Sequence, residues 1–158
     1  MWLERATAED STALAALEAT CHSHPWTEPQ FREEVAYGPP NAVLVLRAAP
    51  APSEPERGLR AYCAYRVVVD EMHIMNLAVA PSWRRRGLAR WLLDLAMRQA
   101  WRSGSCRALL EVRAGNREAL NLYEGLGFAR LGVRRDYYRE PPEDAVVLGL
   151  SGLPSGQP

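Results

Sequence analysis

The spacing of apolar residues along the chain predicts an alternation of strands and helices. Apolar residues recur three and four positions apart in segments that we assign to helices, at 7–20, 27–37, 88–102 and 116–126. Alternating or continuous apolar runs predict strands at 2–6, 41–47, 59–69, 71–79, 106–112, 128–135 and 145–150. The resulting order, βααβββαβαββ, predicts a mixed α/β fold in which one sheet carries helices on both faces.

Residues with strong capping preferences mark several helix ends. Thr7 is followed three residues later by Asp10, and Thr27 by Gln30, a spacing typical of a capping box at a helix N-terminus. Gly127 follows the last predicted helix, where a left-handed backbone commonly ends a helix.

The length of 158 residues predicts a single domain. We place this domain at residues 1–150, with a Pro-rich loop at 48–58 and a flexible tail at 151–158. No stretch approaches the roughly 18–20 apolar residues of a membrane helix, and residues 1–5 lack the pattern of a secretory signal. The sequence therefore predicts a cytoplasmic protein with no membrane partner.

The charges exclude some chemistries and favour one kind of ligand. All 19 basic residues are arginine, so the chain has no lysine for a Walker A phosphate loop or a Schiff base. Acidic and basic residues balance and the arginine run has only three residues, so no nucleic-acid partner is predicted. Residues 1–80 carry a net charge of −5 and residues 81–158 one of +5, which favours binding of a polyanion by the second half.

The placement of cysteine and histidine argues against metal and thiol chemistry. Cys21, Cys63 and Cys106 are widely spaced and odd in number, which predicts buried free thiols rather than disulfides or a zinc site. His22 and His24 have no second pair of ligands nearby, so we expect no metal. Cys106 begins an apolar strand with no base placed to activate it, which disfavours an acyl-enzyme mechanism.

Residues 77–90 carry the most informative pattern. A predicted strand is followed by an arginine-rich turn, and a long amphipathic helix begins at Gly87-x-Ala89. The first N–H groups of a helix have no partner within it and carry the positive end of its dipole, so they can bind an anion. Gly87 and Ala89 leave room for a phosphate to approach the backbone. A solvated basic loop before a helix is the alternative interpretation.

These residues belong to a larger set of motifs. The set is Met75-Asn76-Leu77-Ala78-Val79, Arg84-x-x-Gly87-x-Ala89, Leu110-Glu111-Val112-Arg113, Asn116, Asn121-Leu122-Tyr123-Glu124, Leu126-Gly127-Phe128 and Arg134-Arg135-x-Tyr137-Tyr138. It resembles the acyl-coenzyme-A signature of the GNAT superfamily of N-acetyltransferases, and in particular the bacterial ribosomal-protein-alanine N-acetyltransferases of the RimI type. The resemblance covers residues 71–148 and implies the GNAT fold, a mixed central sheet of about six to seven strands flanked by about four helices.

The resemblance implies that acetyl-CoA is the co-substrate. The pantetheine arm would pair with the backbone of Leu77, Ala78 and Val79. The pyrophosphate would lie on the turn, in contact with Arg84 and with the amides of Arg85, Arg86, Gly87, Leu88, Ala89 and Arg90. A further coenzyme contact is implied for Asn116, whose residue type also suits a helix N-cap; the two roles are compatible.

Two catalytic residues are also implied by the resemblance. Glu111 lies in an apolar strand, on the face it shares with Leu109 and Arg113. The matching Glu of the similar enzymes is the general base, acting directly or through water; a structural salt bridge with an arginine is the alternative. Tyr123 would be the general acid for the departing thiolate, because a phenol is protonated at neutral pH. An ordinary core tyrosine is the alternative for Tyr123.

Weaker candidates for contact with the acceptor are Trp26, His73 and the pair Tyr137-Tyr138. The three aromatic residues lie in loop-like segments, where they would either line a peptide groove or simply pack; His73 would face the core or the acceptor.

The RimI-type resemblance implies that the acceptor is the N-terminal alanine amine of a small-subunit ribosomal protein. This amine would attack acetyl-CoA directly in a ternary complex. Acetylation of a protein lysine or a small-molecule amine is one alternative. A non-catalytic module that binds coenzyme A is another.

Overall fold

The computed structural model describes residues 1–49 and 58–152, which form seven strands and four α-helices in the predicted order. The strands are β1 (Trp2–Arg5), β2 (Ala42–Arg47), β3 (Leu59–Val68), β4 (Glu71–Val79), β5 (Arg107–Arg113), β6 (Ala129–Arg139) and β7 (Pro142–Ser151). The α-helices are α1 (Ser11–Cys21), α2 (Glu28–Ala36), α3 (Leu88–Arg102) and α4 (Arg117–Glu124), with short 3₁₀ turns at Ala8–Asp10 and Pro81–Trp83.

The strands hydrogen bond in the order β1-β2-β3-β4-β5-β7-β6, which confirms the predicted mixed sheet. The β4–β5 pair is parallel and extends from Glu71 opposite Arg107 to Ile74 opposite Leu110. The pairs β1–β2, β2–β3, β5–β7 and β6–β7 are antiparallel. β4 itself continues past its last pair with β5, from Ile74 to Val79.

The chain divides into two compact units. One unit contains Met1–Arg66 and Asn76–Ala96, and the other contains Val67–Met75 and the chain from Met97 onward. The family resemblance spans both units, and the single domain over residues 1–150 stays a prediction.

In the first unit, α1 and α2 pack their apolar residues against β2, β3 and the end of β4. The buried cluster includes Leu14, Leu17, Val45 and Tyr62. Phe31 of α2 meets the Tyr62 ring edge to face, with the ring centroids 5.2 Å apart. Burial of each side chain of this size contributes about 1.5–3 kcal/mol to the free energy of folding. Trp26, in the segment between α1 and α2, packs against this cluster and is held by it.

In the second unit, β5 shows the predicted alternation. Ala108, Leu110 and Val112 are buried, whereas Leu109, Glu111 and Arg113 are partly exposed. β7 pairs with β5 along its length, with Glu111 opposite Val147 and Arg113 opposite Ala145. The α4 helix buries Leu120 and Tyr123, and Tyr123 meets Phe128 edge to face at 5.7 Å.

Both predicted capping boxes are present. The Thr7 N–H donates to Asp10 Oδ2 over 2.8 Å, and the Thr27 N–H donates to Gln30 Oε1 over 2.8 Å. Gly127 has the expected left-handed backbone, with a φ of +95°.

The predicted placements of two tyrosines and two cysteines are wrong. Tyr137 and Tyr138 lie in strand β6 rather than in a loop, because pairing with β7 extends beyond the predicted end of the strand to Arg139 opposite Pro142. Of the three cysteines predicted to be buried, only Cys63 is buried; Cys21 is partly exposed and Cys106 is exposed. Cys106 lies just before β5, where its Sγ donates to the partly exposed Asp70 carboxylate over 3.1 Å instead of packing in the core.

The Pro-rich segment lies outside the described residues apart from its ends at Ala48, Ala49 and Gly58. Within residues 1–49 and 58–152, no helix has the length and apolar character needed to cross a membrane.

Candidate active site

The arginine-rich turn lies between β4 and α3. Its backbone takes left-handed conformations at Arg85, with a φ of +61°, and at Gly87, with a φ of +76°. The first hydrogen bond of α3 runs from the Trp91 N–H to the Gly87 carbonyl over 3.0 Å. The N–H groups of Leu88 and Ala89 therefore precede the hydrogen-bonded ladder of the helix and carry the positive end of its dipole.

Two arginine side chains brace this turn. Arg84 Nε donates to the Val79 carbonyl over 3.1 Å, and Arg86 Nη2 donates to the Ser82 carbonyl over 3.2 Å. The Arg86 guanidinium also stacks over the Trp83 ring at 4.7 Å. These contacts fix the conformation of the turn. They also keep the positive charges of Arg84 and Arg86 near the N-terminus of α3.

The turn fits a phosphate group. A Cβ built at Gly87 would meet no heavy atom within 4 Å, so the backbone is open to approach on that side. The groups at the helix start are N–H donors and guanidinium cations, which match an acceptor-only anion.

Beyond Ile74, the edge of β4 that faces away from β3 no longer pairs with β5, and the contact with β3 fixes the direction of its backbone groups. The Ala80 N–H donates to the Arg60 carbonyl of β3 over 2.8 Å, and backbone groups of alternate residues point to opposite edges of a strand. The groups of Leu77 and Val79 therefore point away from β3, and those of Ala78 point towards it.

Of the N–H and carbonyl groups of Leu77 and Val79 on this edge, the Leu77 N–H and the Val79 carbonyl are hydrogen bonded to side chains. Asn76 Oδ1 accepts from the Leu77 N–H at 2.9 Å. The Val79 carbonyl accepts from Arg84 Nε and from Cys21 Sγ, the latter at 3.4 Å. A ligand on this edge would accordingly meet the Leu77 carbonyl and the Val79 N–H, the pair with which a parallel strand binds a single residue.

Asn116 caps α4, as the sequence predicts. Its Oδ1 accepts from the Ala119 N–H over 3.1 Å. The Nδ2 group is the part of the side chain that could serve a ligand as well.

Glu111 is part of a polar cluster on one face of the β5–β7–β6 sheet. Arg134 Nε lies 3.1 Å from Glu111 Oε1, which is the arginine salt bridge considered as the alternative role. The Tyr137 hydroxyl donates to Glu111, and this hydrogen bond, with burial, raises the pKa of Tyr137. The Glu111 side chain is 26% exposed, so it remains open to solvent on one side.

Tyr137 and Tyr138 lie at an irregularity in strand β6. The pairing with β7 shifts register between Arg134 and Tyr138, where Asp136 has a φ of +51° and its N–H donates to Asp144 Oδ1 over 2.9 Å. The Tyr137 and Tyr138 rings are perpendicular at 5.1 Å. Arg113 stacks over Tyr138 at 4.1 Å. The structure thus brings Glu111 and both tyrosines together.

The remaining predicted residues have structural contacts. Tyr123 is 7% exposed and packs on Phe128, as a core tyrosine would. The Trp26 ring packs on Phe31 at 5.4 Å. His73 Nε2 lies 3.3 Å from Glu71 Oε2.

The comparisons with known proteins identify the family. The family model described as "Acetyltransferase (GNAT) family" matches residues 11–128. The chain belongs to the GNAT acetyltransferase family.

Among the relatives of this GNAT acetyltransferase is the [ribosomal protein bS18]-alanine N-acetyltransferase of Escherichia coli strain K12, 34% identical over 89% of this chain and 90% of the relative. N-alpha-acetyltransferase RimI of Mycobacterium tuberculosis is 33% identical over 94% of this chain and 92% of the relative. The crystal structure of the ribosomal-protein-S18-alanine N-acetyltransferase from Escherichia coli has a TM-score of 0.81, with 30% identity, and the match covers 99% of this chain and 96% of that one.

Sequence reasoning missed one polar residue of this acetyltransferase, Glu18 in α1. Its side chain is 1% exposed and hydrogen bonds to Tyr62, Asn76 and Trp26. The available signal was a carboxylate four residues after Leu14, on the stripe of α1 that should be apolar.

Proposed function

We propose that this acetyltransferase transfers the acetyl group of acetyl-CoA to the α-amine of an N-terminal alanine of a small-subunit ribosomal protein. The observation that carries the proposal is the similarity to the bS18-alanine N-acetyltransferase of E. coli over nine-tenths of both chains. The open turn after β4 independently supports the coenzyme part of this proposal, because its backbone suits the pyrophosphate of a coenzyme.

The first unit would hold the coenzyme. We propose that the amides of Gly87, Leu88 and Ala89 hold its pyrophosphate, with the arginines of the turn adding positive charge. The Leu77 carbonyl and the Val79 N–H would pair with the amide groups of the pantetheine arm. When bound, acetyl-CoA supplies an activated thioester and a thiolate leaving group.

The chemistry of the acceptor favours an α-amine over lysine. An α-amine with a pKa of about 7.7–8.0 is roughly one-tenth unprotonated at pH 7, whereas a lysine amine near 10.4 is unprotonated about once in 2,500. A single carboxylate such as Glu111 suffices to accept the last proton of an α-amine. Glu111 would be that base, acting directly or through water, and Tyr123 would protonate the leaving thiolate.

Two of the three thiols, those of Cys63 and Cys106, are poor nucleophiles, which favours direct transfer without an acyl-enzyme. A hydrogen bond to Asp70, together with desolvation and the Asp70 charge, raises the pKa of Cys106. Burial raises the pKa of Cys63 to about 12. Few of these thiols are ionised at neutral pH.

Mass spectrometry of peptides incubated with acetyl-CoA tests the proposed acceptor. A peptide with the N-terminal sequence of the small-subunit protein, beginning with alanine, should gain one acetyl group on its α-amine. The same peptide with a blocked N-terminus and an internal lysine should gain none, because its ε-amine is almost fully protonated. Acetylation of the blocked peptide at a similar rate would overturn the α-amine assignment and favour the lysine alternative.

Substitution of Gly87 should separate coenzyme binding from backbone strain. Gly87→Ala places a Cβ on a backbone with a φ of +76°, at a cost of about 1–2 kcal/mol, and directs it to the open side of the turn. We expect the Kd for coenzyme A, measured by calorimetry, to rise by about tenfold or more.

Gly38→Ala is the matched control for Gly87→Ala. Gly38 has a φ of +60° and equally open space around its Cβ position, but it follows α2. Its substitution should lower the melting temperature by a similar amount and leave the Kd for coenzyme A unchanged. Equal weakening of coenzyme binding in both variants would contradict a role for the turn.

A further inference from the structure

We propose that Glu18 is a positioning residue for both substrates, because its buried carboxylate holds the segments that carry Trp26 and Leu77. The inference rests on the proposed contact of Leu77 with acetyl-CoA and takes, of the two roles that the sequence leaves open for Trp26, the one in which it lines the groove for the acceptor peptide. Glu18 touches neither substrate and acts through these two segments.

The Glu18 carboxylate collects donors from several parts of the first unit. Glu18 Oε1 accepts from Asn76 Nδ2 at 2.8 Å and from the Trp26 N–H at 3.3 Å. Glu18 Oε2 accepts from the Tyr62 hydroxyl and lies 3.5 Å from His22 Nε2. A carboxylate offers only acceptors, so it accepts from Asn76, Trp26 and Tyr62 at once. A glutamine could still accept from Asn76 and Trp26, but it would have to donate to Tyr62 instead.

One of these hydrogen bonds reaches the coenzyme edge of β4. With Nδ2 held by Glu18, the Oδ1 atom of Asn76 faces the Leu77 N–H and accepts from it at 2.9 Å. A flipped Asn76 amide would place Nδ2 against that N–H, donor against donor. Glu18 therefore sets the orientation of Asn76, and Asn76 sets which backbone groups of Leu77 remain for a ligand.

Another hydrogen bond reaches the segment between α1 and α2. The Trp26 N–H donates to Glu18, while the Trp26 ring packs on Phe31. Both the backbone and the ring of Trp26 are thereby held to the core of the first unit.

Burying the Glu18 carboxylate carries a desolvation cost that an apolar side chain would not carry. Glu18 lies four residues after Leu14 on the buried side of α1, where a leucine would pack without the cost of burying a charge. We attribute the presence of a carboxylate here to its hydrogen bonds with Asn76 and Trp26, which lie in two segments proposed to contact two different substrates.

Steady-state kinetics of three variants test this role. Glu18→Ala removes both links, so we expect the KM values for acetyl-CoA and for the Ala-initiated peptide each to rise by about tenfold. Asn76→Ala removes only the link to Leu77 and should raise the KM for acetyl-CoA alone. Glu18→Gln should keep both KM values within about threefold, because its Oε1 can still accept from Asn76 and Trp26 while its Nε2 donates to the Tyr62 oxygen.

Tyr62→Phe is the structural control. It removes a hydrogen bond to the same carboxylate and retains the ring contact with Phe31, but it cuts neither link. It should lower the melting temperature and leave both KM values unchanged. A similar rise of the KM values in Tyr62→Phe would show that Glu18 acts on stability alone and would overturn the proposal.

Amide hydrogen exchange supplies a readout that does not depend on activity. The Trp26 and Leu77 amides should exchange about tenfold faster in Glu18→Ala, and only the Leu77 amide should do so in Asn76→Ala. Unchanged exchange at both amides in these variants would also overturn the proposal. If the wild-type protein acetylated no N-terminal peptide, the proposed function would fail, whereas the exchange rates would still decide the role of Glu18.

Discussion

Replacing Glu111 by Gln should lower kcat for the Ala-initiated peptide by about 10²–10³-fold, within the range that general-base catalysis contributes. The amide cannot accept the proton that the attacking α-amine loses. Gln keeps a hydrogen-bond acceptor for Arg134 and for the Tyr137 hydroxyl, so the local structure should persist. The Arg134–Glu111 pair is partly exposed, and its loss should change stability by less than about 1 kcal/mol.

The pH dependence of this variant should be distinctive. As the pH rises through about 7.7–8.0, the unprotonated fraction of the α-amine increases without help from a base. If Glu111 also removes a proton from the ammonium form of the bound peptide, the kcat/KM ratio of Glu111→Gln to wild type should therefore move closer to one between pH 7 and pH 9. A constant ratio over this range, together with the lowered kcat, would indicate that Glu111 accepts a proton only from the neutral amine as it attacks.

Glu118→Gln is the matched control for Glu111→Gln, because Glu118 is an exposed carboxylate in the first turn of α4. It should retain wild-type turnover, and both variants should bind coenzyme A with the wild-type Kd. Turnover of Glu111→Gln within about threefold of wild type would leave only structural contacts with Arg134 and Tyr137 as the role of this residue.

Tyr123→Phe is expected to lower kcat by about 10²-fold or more while the KM for acetyl-CoA stays nearly constant. The phenol is the proposed proton donor to the departing thiolate, and phenylalanine has no proton to give. The ring of Tyr123 packs on Phe128, and this contact survives the loss of the hydroxyl. The loss of activity should therefore occur in a folded protein with an intact coenzyme site.

Tyr37→Phe is the matched control for Tyr123→Phe, because it removes a tyrosine hydroxyl outside the candidate site. Tyr37 is 46% exposed and its hydroxyl donates to Glu33 at the end of α2. This variant should match wild type in kcat, in KM and in coenzyme affinity. If Tyr123→Phe did the same, Tyr123 would be a core residue without a catalytic role.

Local signals in the sequence were sufficient for most of the fold. The capping boxes at Thr7 and Thr27 and the left-handed Gly127 depend on residues within a few positions of each other, and all are confirmed. The strand end at Tyr137-Tyr138 was predicted wrongly because these residues pair with β7, and pairing partners are set by tertiary contacts rather than by local composition.

In the candidate site, too, some features follow from local sequence and others from tertiary contacts. The sequence by itself determined the element order, the arginine-rich turn before Leu88 and the alternation that puts Glu111 on the more exposed face of β5. Each of these follows from short-range backbone geometry. Only the tertiary structure decided that Arg134 and Tyr137 meet Glu111, and that Glu18 holds Asn76 and Trp26. Those contacts join residues far apart in the chain, and a hydrogen bond between distant residues depends on packing that no local pattern encodes.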